Sequence, residues 1–361
     1  AALAAGETPS PEMVAAAGPR GGLEPRVAGA WLAASVALAA LILFLSDRAT
    51  LLGGGAVVKS IDVLEENARQ ILGLLGHDQP PVDRSLRVGT HNYYSALVDT
   101  IGAISDAPDR WTPLRQPGEI VSFFEYRQSP RPLIPMSGTG QVVGEKDPRM
   151  GRGDALVVTN LGGRLRYLAV MPALYRGAVE RRSDPDYRLV FAGAGFDIGN
   201  FSAIESKVNP PVYSDERAAW SGTLPEFGDY PLSVQAAAER GRPVYFELFL
   251  RWDLIRADVL PTGAARFVTP PDRWLRPHVL LAIFACVGIA VVLLARRQWI
   301  RGHGDRRGAL RVALAFTVLW LVAWVLGGHH SLDGWGEAEV SMRALAAALR
   351  GGAVRWCLYP A

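Results

Sequence analysis

The chain has 361 residues, of which 49% are hydrophobic and 20% are charged, and its formal net charge is +3. So much apolar surface excludes disorder as the main state of the chain, and two cysteines are too few for a disulfide scaffold. A mean hydropathy of +0.13 is high for a soluble globular protein of this length and indicates a membrane-embedded part. Because the chain opens Ala-Ala-Leu without an initiator methionine, we expect a fragment or a processed product.

The first apolar segment, residues 27–46, contains no charged residue and is long enough for a helix to cross about 30 Å of hydrocarbon. Arg26 precedes the segment, and Asp47 and Arg48 follow it. A cleaved secretory signal is the alternative, but no small-x-small cleavage pattern follows the segment. We therefore expect a retained membrane anchor.

The region that follows has the pattern of an α+β domain. A helix is predicted from Ser60 or Asp62, either of which can cap it, to Gly76, which can end it. Three more helices are predicted over 92–104, 214–220 and 233–241. Strands are predicted over 119–127, 154–160, 164–171 and 243–250, with a hairpin turn at 160–163. No internal repeat is visible in the sequence.

Two further apolar segments, residues 277–295 and 309–327, are predicted to cross the membrane. Residues 296–311 between and beside them hold six arginines and one aspartate, a net charge of +5, so the rest of the chain is at 3 − 5 = −2. The positive-inside rule places the connecting loop in the cytoplasm, and the region 47–276 therefore outside it. Since basic residues are concentrated in one short segment, we expect no nucleic-acid partner.

The C-terminal segment, residues 341–361, has two interpretations. Arg343, Arg350 and Arg355 make it amphipathic, which favours a helix lying at the membrane surface. It is alternatively the start of a fourth span, in which Arg350 would be costly at mid-depth. Both interpretations stay open.

The sequence thus predicts a membrane protein of three or four α-helical transmembrane spans with an α+β extracytoplasmic domain. We expect a multi-pass protein of the inner or plasma membrane with a cytoplasmic N-terminus. The segments are a linker (1–26), helix 1 (27–46), the outer domain (47–276), helix 2 (277–295), a cytoplasmic loop (296–308), helix 3 (309–327), an outer loop (328–340) and the C-terminal helix (341–361).

Chemical motifs are weak throughout. Ala56–Lys59 resembles a kinase strand and Glu226–Gly228 a kinase metal-binding triplet, but neither lies in the required context. His329 and His330 could chelate a metal with Asp333 or Glu337, although adjacent histidines rarely do, and we favour a polar cap. No catalytic, cofactor-binding or metal-binding residue is therefore assigned.

The arginines of the loop are the one functional set that the sequence suggests. They set the topology of the chain, and their charge suits anionic lipid headgroups. The set comprises Arg296, Arg297, Arg301, Arg306 and Arg307.

Several strings together resemble one family, the bacterial membrane-bound serine/threonine protein kinases of the eukaryotic type, in the part that follows their kinase domain. The strings are ALAAGETPSPEMVAAAG (2–18), EYRQSPRPLIP (125–135), PPVYSDERAAWSG (210–222), GRPVYFEL (241–248), GDRRGALRVALAF (304–316) and CLYPA (357–361). The resemblance implies a cytoplasmic kinase domain before Ala1, which would bind ATP and magnesium. No catalytic residue of the family falls within this chain, so we expect the chain alone to be inactive and to need no cofactor.

We therefore expect a non-catalytic membrane-anchoring and sensory or regulatory region of such a kinase. Its expected partners are the lipid bilayer, an unidentified extracytoplasmic ligand or protein, and a second copy in a homodimer. The alternative is a subunit of a transport complex, because one span, a large outer domain and further spans are also the plan of macrolide-exporter-type permeases. An outer-facing hydrolase is disfavoured, since no nucleophile–base pattern is present.

Overall fold

The computed structural model describes residues 25–49, 59–90, 122–173, 184–224, 230–250, 306–331 and 333–358, and isolated helical residues between 286 and 300. The chain forms two compact units, Ala1–Gly54 and Gly55–Ala361. In the first unit, helix α1 (Pro25–Ala49) contains the predicted helical segment 27–46, and its described side chains are exposed.

The ranges described in the second unit include four continuous α-helices and eight strands. The helices are α2 (Ile61–Leu74), α3 (Arg188–Ala194), α4 (Arg306–Gly327) and α5 (Gly334–Leu358). The strands are β1 (Asp83–Thr90), β2 (Ser122–Ser129), β3 (Ala155–Thr159), β4 (Leu165–Val170), β5 (Ser202–Ile204), β6 (Glu216–Leu224), β7 (Tyr230–Glu239) and β8 (Arg242–Leu250).

All eight strands form one antiparallel sheet in the order β1-β2-β3-β4-β8-β7-β6-β5. Helices α2 and α3 pack on one face of it, and the main hydrophobic core lies between them and the sheet. Burial of this apolar surface is the principal stabilising contribution. Its largest members are Tyr126, Tyr245, Phe124, Phe191, Phe246, Leu64 and Leu72.

Helix α2 forms where the sequence predicts it. The Ser60 hydroxyl accepts a hydrogen bond from Val63 N at 3.4 Å, which caps the first turn. Leu64, Ala68 and Leu72 recur at helical spacing and are buried against the sheet. The chain then leaves the helix at Gly76, whose φ of 80° is accessible to glycine without strain.

In the ranges that the structure describes, the sheet domain is an internal structural duplication. Each half is a helix followed by four strands, α2-β1-β2-β3-β4 and α3-β5-β6-β7-β8, and the halves join where β4 pairs with β8. In that pair Leu168 lies opposite Phe246, Tyr167 opposite Glu247 and Ala169 opposite Tyr245. A pseudo-twofold axis through the Leu168–Phe246 pair therefore relates Tyr167 to Tyr245.

Details of the two halves agree with this axis. The strands before β4 and β8 have register shifts at equivalent positions, Val158/Thr159 and Ala237/Ala238. Each hairpin contains a Gly-Arg pair, and each arginine reaches the glycine that ends the helix of the other half. Arg242 Nη1 donates to Gly76 O at 3.3 Å, and the Arg164 side chain lies against Gly195, whose φ is 79°. The sequence shows no repeat, and the structure shows why: the two halves share backbone topology and little sequence.

Two predicted helices are strands. Residues 214–220 lie mostly in β6, and 233–241 mostly in β7. The Ala-rich sequence of β7 favours a helix by intrinsic propensity, and its residues are buried on both faces of the sheet, so polar–apolar alternation is absent. Pairing with β6 and β8 overrides the propensity. The predicted helix 92–104 lies outside the described residues.

The expected fold class of three or four transmembrane spans is wrong. Among the described residues one helix, Arg307–Gly327, is long and apolar enough to cross a membrane, and Gly29–Ile42 is a shorter apolar stretch. The eight-stranded sheet dominates the second unit instead. The predicted span 277–295 lies outside the described residues except for Cys286, Ile289 and Leu293, which are helical and exposed.

Helices α4 and α5 form an antiparallel hairpin. Thr317 lies beside Ala348, and a Cβ added to Gly352 would approach Ala313 and Thr317. These small residues let the two backbones approach closely. Helix α5 thus replaces the predicted outer loop from residue 334 onward. It carries acidic and basic side chains along its length and is therefore less apolar than a membrane-spanning helix.

A long connection between β2 and β3, residues 130–154, covers part of the sheet face opposite the helices; we call it the strap. Arg127 of β2 holds it in place. Its guanidinium is 1% exposed and lies 2.9 Å from the Asp154 carboxylate, whose side chain is 2% exposed. It also donates to Gly144 O at 2.8 Å and Pro148 O at 2.6 Å. Arg127 therefore holds the second half of the strap, from Gly144 to Asp154, against the sheet.

Removing the carboxylate should destabilise the domain strongly. Asp154→Ala leaves the Arg127 charge buried without its counter-ion, and we expect a loss of about 3–5 kcal/mol in the free energy of unfolding. Urea denaturation of the full chain followed by circular dichroism measures it. The control is Arg131→Gln, because Arg131 is 59% exposed and lies 3.6 Å from the same carboxylate, so its loss should cost less than about 1 kcal/mol. Equal effects of the two substitutions would contradict the clamp.

Candidate functional site

The strap also contacts the helical hairpin. His329 N donates to Gly140 O at 2.6 Å, and Arg343 Nη1 donates to Pro135 O at 2.9 Å. Gly140 has a φ of 68°, and a Cβ there would meet Trp324 Nε1 at 2.5 Å, so glycine permits this close approach. The junction of sheet, strap and hairpin is the candidate functional site.

A hydrogen bond joins the first strand of the sheet directly to the hairpin. His329 Nε2 lies 3.1 Å from Asp83 Oδ2, and the same oxygen accepts a hydrogen bond from Leu133 N of the strap at 2.7 Å. The other oxygen of the carboxylate accepts from Arg84 N at 2.7 Å. Burial by itself would raise the pKa of Asp83, but these hydrogen bonds outweigh it and hold the pKa below 3.8.

The neighbouring histidine points elsewhere. His330 Nδ1 lies 2.8 Å from Glu337 Oε1, and His330 Nε2 lies 2.9 Å from Val325 O. Since both ring nitrogens face acceptors, the protonated ring is favoured, and the hydrogen bond with Glu337 is the main reason that the pKa of His330 is raised above 6.5. His330 therefore connects α4 to α5 within the hairpin.

The chelation hypothesis for this histidine pair does not fit the structure. His329 faces Asp83, whereas His330 faces Glu337, and Asp333 instead accepts a hydrogen bond from Gly336 N. No group of three histidine, cysteine or acidic side chains in the described part of the chain is arranged to hold a metal ion.

The arginines singled out in the sequence are partly described. Arg296 and Arg297 are helical and exposed, Arg306 begins α4, and Arg307 is exposed on its first turn, while Arg301 lies outside the described residues. The fold adds Arg355 of α5 to the same end of the hairpin. The Arg355 guanidinium carbon lies 3.4 Å from the centre of the Phe316 ring, and Nη1 donates to Gly351 O at 3.2 Å. The hairpin thus has a basic end, opposite the junction.

The remaining sequence candidates contribute little. Of the kinase-like string only Lys59 is described, and Glu226–Gly228 lies outside the described residues. Cys286 and Cys357 are exposed. The sequence does not predict that Asp83, Gly140 and Arg343 lie at one site, because no local pattern shows that they meet.

Comparison with known proteins finds no matching family model, no matching curated protein and no matching solved structure.

The pKa of His330 can be tested directly. We expect NMR titration of the His330 ring to give a pKa above 6.5, and Glu337→Gln to bring it closer to 6.5, because the amide leaves the imidazolium without an ionic partner. Any stability that this pair contributes is present below pH 6.5 and is lost as the pH rises through the raised pKa. An unchanged titration in Glu337→Gln would contradict this arrangement.

The Asp83 contacts should give stability at neutral pH. Because the pKa of Asp83 is lower in the folded state, this contribution is present above pH 3.8 and is lost as the pH falls through the lowered value. We expect Asp83→Asn to unfold at a lower urea concentration than the unmodified chain at pH 7, with the difference shrinking toward pH 3. A difference that does not depend on pH would show that the charge contributes nothing.

Proposed function

We propose that the chain is a non-catalytic membrane-anchoring and sensory or regulatory region, of the kind that follows the kinase domain in the bacterial serine/threonine kinases it resembles. The observation that carries the proposal is the junction. His329 lies just beyond the one candidate membrane helix among the described residues and is bonded to Asp83 of the sheet domain. We therefore expect a rearrangement of the sheet domain to move this helix, which on our proposal lies in the membrane.

The surface of α4 supports contact with lipid. Only 11% of its apolar stretch is buried against other parts of the protein. Exposed aliphatic side chains cover it, and a lipid bilayer would bury this surface favourably. They include Leu310, Leu314, Val318, Leu319, Val322, Val325 and Leu326.

The charges of the hairpin support an orientation. Arg307, Arg311 and Arg355 lie at one end, and Glu337 and Glu339 lie near the other. The positive-inside rule favours the basic end in the cytoplasm, where anionic headgroups also attract arginine. The sheet contacts the opposite end, which favours an extracytoplasmic sheet domain. A ligand of the sheet domain would act by binding one arrangement of the sheet and hairpin more tightly than another, which shifts the population toward the first.

The proposal is tested with the full chain expressed in bacteria. We expect it to stay with the membrane fraction after carbonate extraction, and calorimetry of the purified chain to show no stoichiometric binding of ATP with magnesium. Release by carbonate would contradict membrane anchoring, and ATP binding would contradict the non-catalytic assignment. Co-purification of an ATPase would instead favour the transport-complex alternative.

The link to a kinase needs its own test, which is the genomic DNA directly upstream of the Ala1 codon. An in-frame glycine-rich loop followed by His-Arg-Asp and Asp-Phe-Gly triplets would support it, because these residues supply the phosphate, base and metal contacts of kinases. A stop codon directly upstream would contradict it.

A further inference from the structure

The strap breaks the symmetry of the duplicated domain. In the first repeat, β2 and β3 are joined by residues 130–154, whereas in the second the equivalent strands β6 and β7 are joined by residues 225–229. The strand registers make Ala219 the counterpart of Arg127 and Ser233 the counterpart of Asp154. The buried ion pair therefore occurs in the repeat that has the strap, and the hairpin contacts the strap.

We propose that the strap is the coupling element of the protein, which fixes the helical hairpin relative to the sheet and transmits rearrangements between them. The importance of this coupling rests on the proposed regulatory function, but the coupling can be measured whether or not that function is correct.

The strap is stiff enough for this role. Asp147 accepts hydrogen bonds from Met136 N at 2.5 Å and Ser137 N at 2.8 Å, which closes the middle of the strap on itself. Val143 N donates to Asp147 O at 2.7 Å, and Arg127 holds the Gly144 carbonyl from the sheet side. A segment with such cross-links moves as one piece, so a displacement at the sheet reaches the far side of the strap.

The contacts then continue without a gap into the hairpin. Pro135 and Gly140 of the strap bind Arg343 of α5 and His329, which follows α4. Asp83 binds the strap and His329 with the same carboxylate oxygen. Because the three parts share these groups, the hairpin is held at two places along the strap and at one on the sheet edge.

The two adjacent histidines provide a matched comparison. His329 connects the hairpin to the sheet and the strap, whereas the contacts of His330 join α4 to α5. Both residues lie in the same short turn. Loss of the His329 contacts should therefore loosen the hairpin against the sheet, and loss of those of His330 should not.

The experiment measures the distance between the sheet and the hairpin by double electron–electron resonance spectroscopy. The full chain, with Cys286 and Cys357 replaced by serine, receives spin labels at Ile204→Cys in β5 and Val354→Cys in α5, both exposed positions. It is studied in detergent micelles, so the result does not depend on membrane insertion in cells or on a kinase. The unmodified junction should give a single narrow distance peak.

Two independent variants test the coupling. His329→Ala combined with Arg343→Ala removes the side-chain bonds of the hairpin to Asp83 and to the Pro135 carbonyl. Gly140→Ala places a Cβ against Trp324 and so disturbs the remaining contact, in which the backbone N–H of residue 329 donates to Gly140 O. We expect both to lose the narrow peak, while His330→Ala keeps it. Circular dichroism verifies that each variant retains the sheet. If the double variant loses its sheet, the distance peak of Gly140→Ala is the test of the coupling. A narrow peak in Gly140→Ala and in a folded double variant, or an equal loss in His330→Ala, would overturn the proposal.

Discussion

The arrangement of the second unit depends on a charge pair that is removed from water. Arg127 and Asp154 are almost fully buried, and such a pair is tolerated only when further hydrogen bonds satisfy the remaining donors and acceptors. Here the strap supplies most of these groups, since the Gly144 and Pro148 carbonyls accept from Nη1 of the guanidinium and Gly151 N donates to the carboxylate, while Nε of Arg127 has no hydrogen-bond partner among the described residues. The ion pair therefore fixes the path of the strap more than it adds stability.

The contacts at the junction depend on the path of the strap. With the strap held on the sheet, the Pro135 and Gly140 carbonyls face the hairpin, and Leu133 N reaches the carboxylate of Asp83. The same carboxylate then binds His329. A buried acid with several donors prefers its charged form, which makes the junction a stable attachment at neutral pH.

The duplication separates structural from functional features. The hydrophobic core is shared by both repeats, with Leu72 and Phe191 occupying corresponding positions on α2 and α3. The contacts of Arg242 with Gly76 and of Arg164 with Gly195 are likewise repeated. The strap occurs in the first repeat, where the second has the short connection 225–229. The features that both repeats share lie in or beside the core, whereas the strap, which belongs to the first repeat, makes the contacts with the hairpin.

The sequence alone determined the features that depend on neighbouring residues. The Ser60 cap of α2, the turn at Gly163, strands β3, β4 and β8, and the apolar helix α4 all follow from local spacing and composition. The basic end of α4 is equally visible in the sequence.

Only the tertiary structure decided the features that depend on distant partners. The residues of β7 have the composition of a helix, and pairing on both sides makes them a strand. The duplication lies in strand order and register, which the sequence does not display. Asp83 and His329 are 246 positions apart, so no spacing rule relates them. They meet because the buried Arg127 charge holds the strap between the sheet and the hairpin, a constraint of packing and desolvation that exists only in the folded chain.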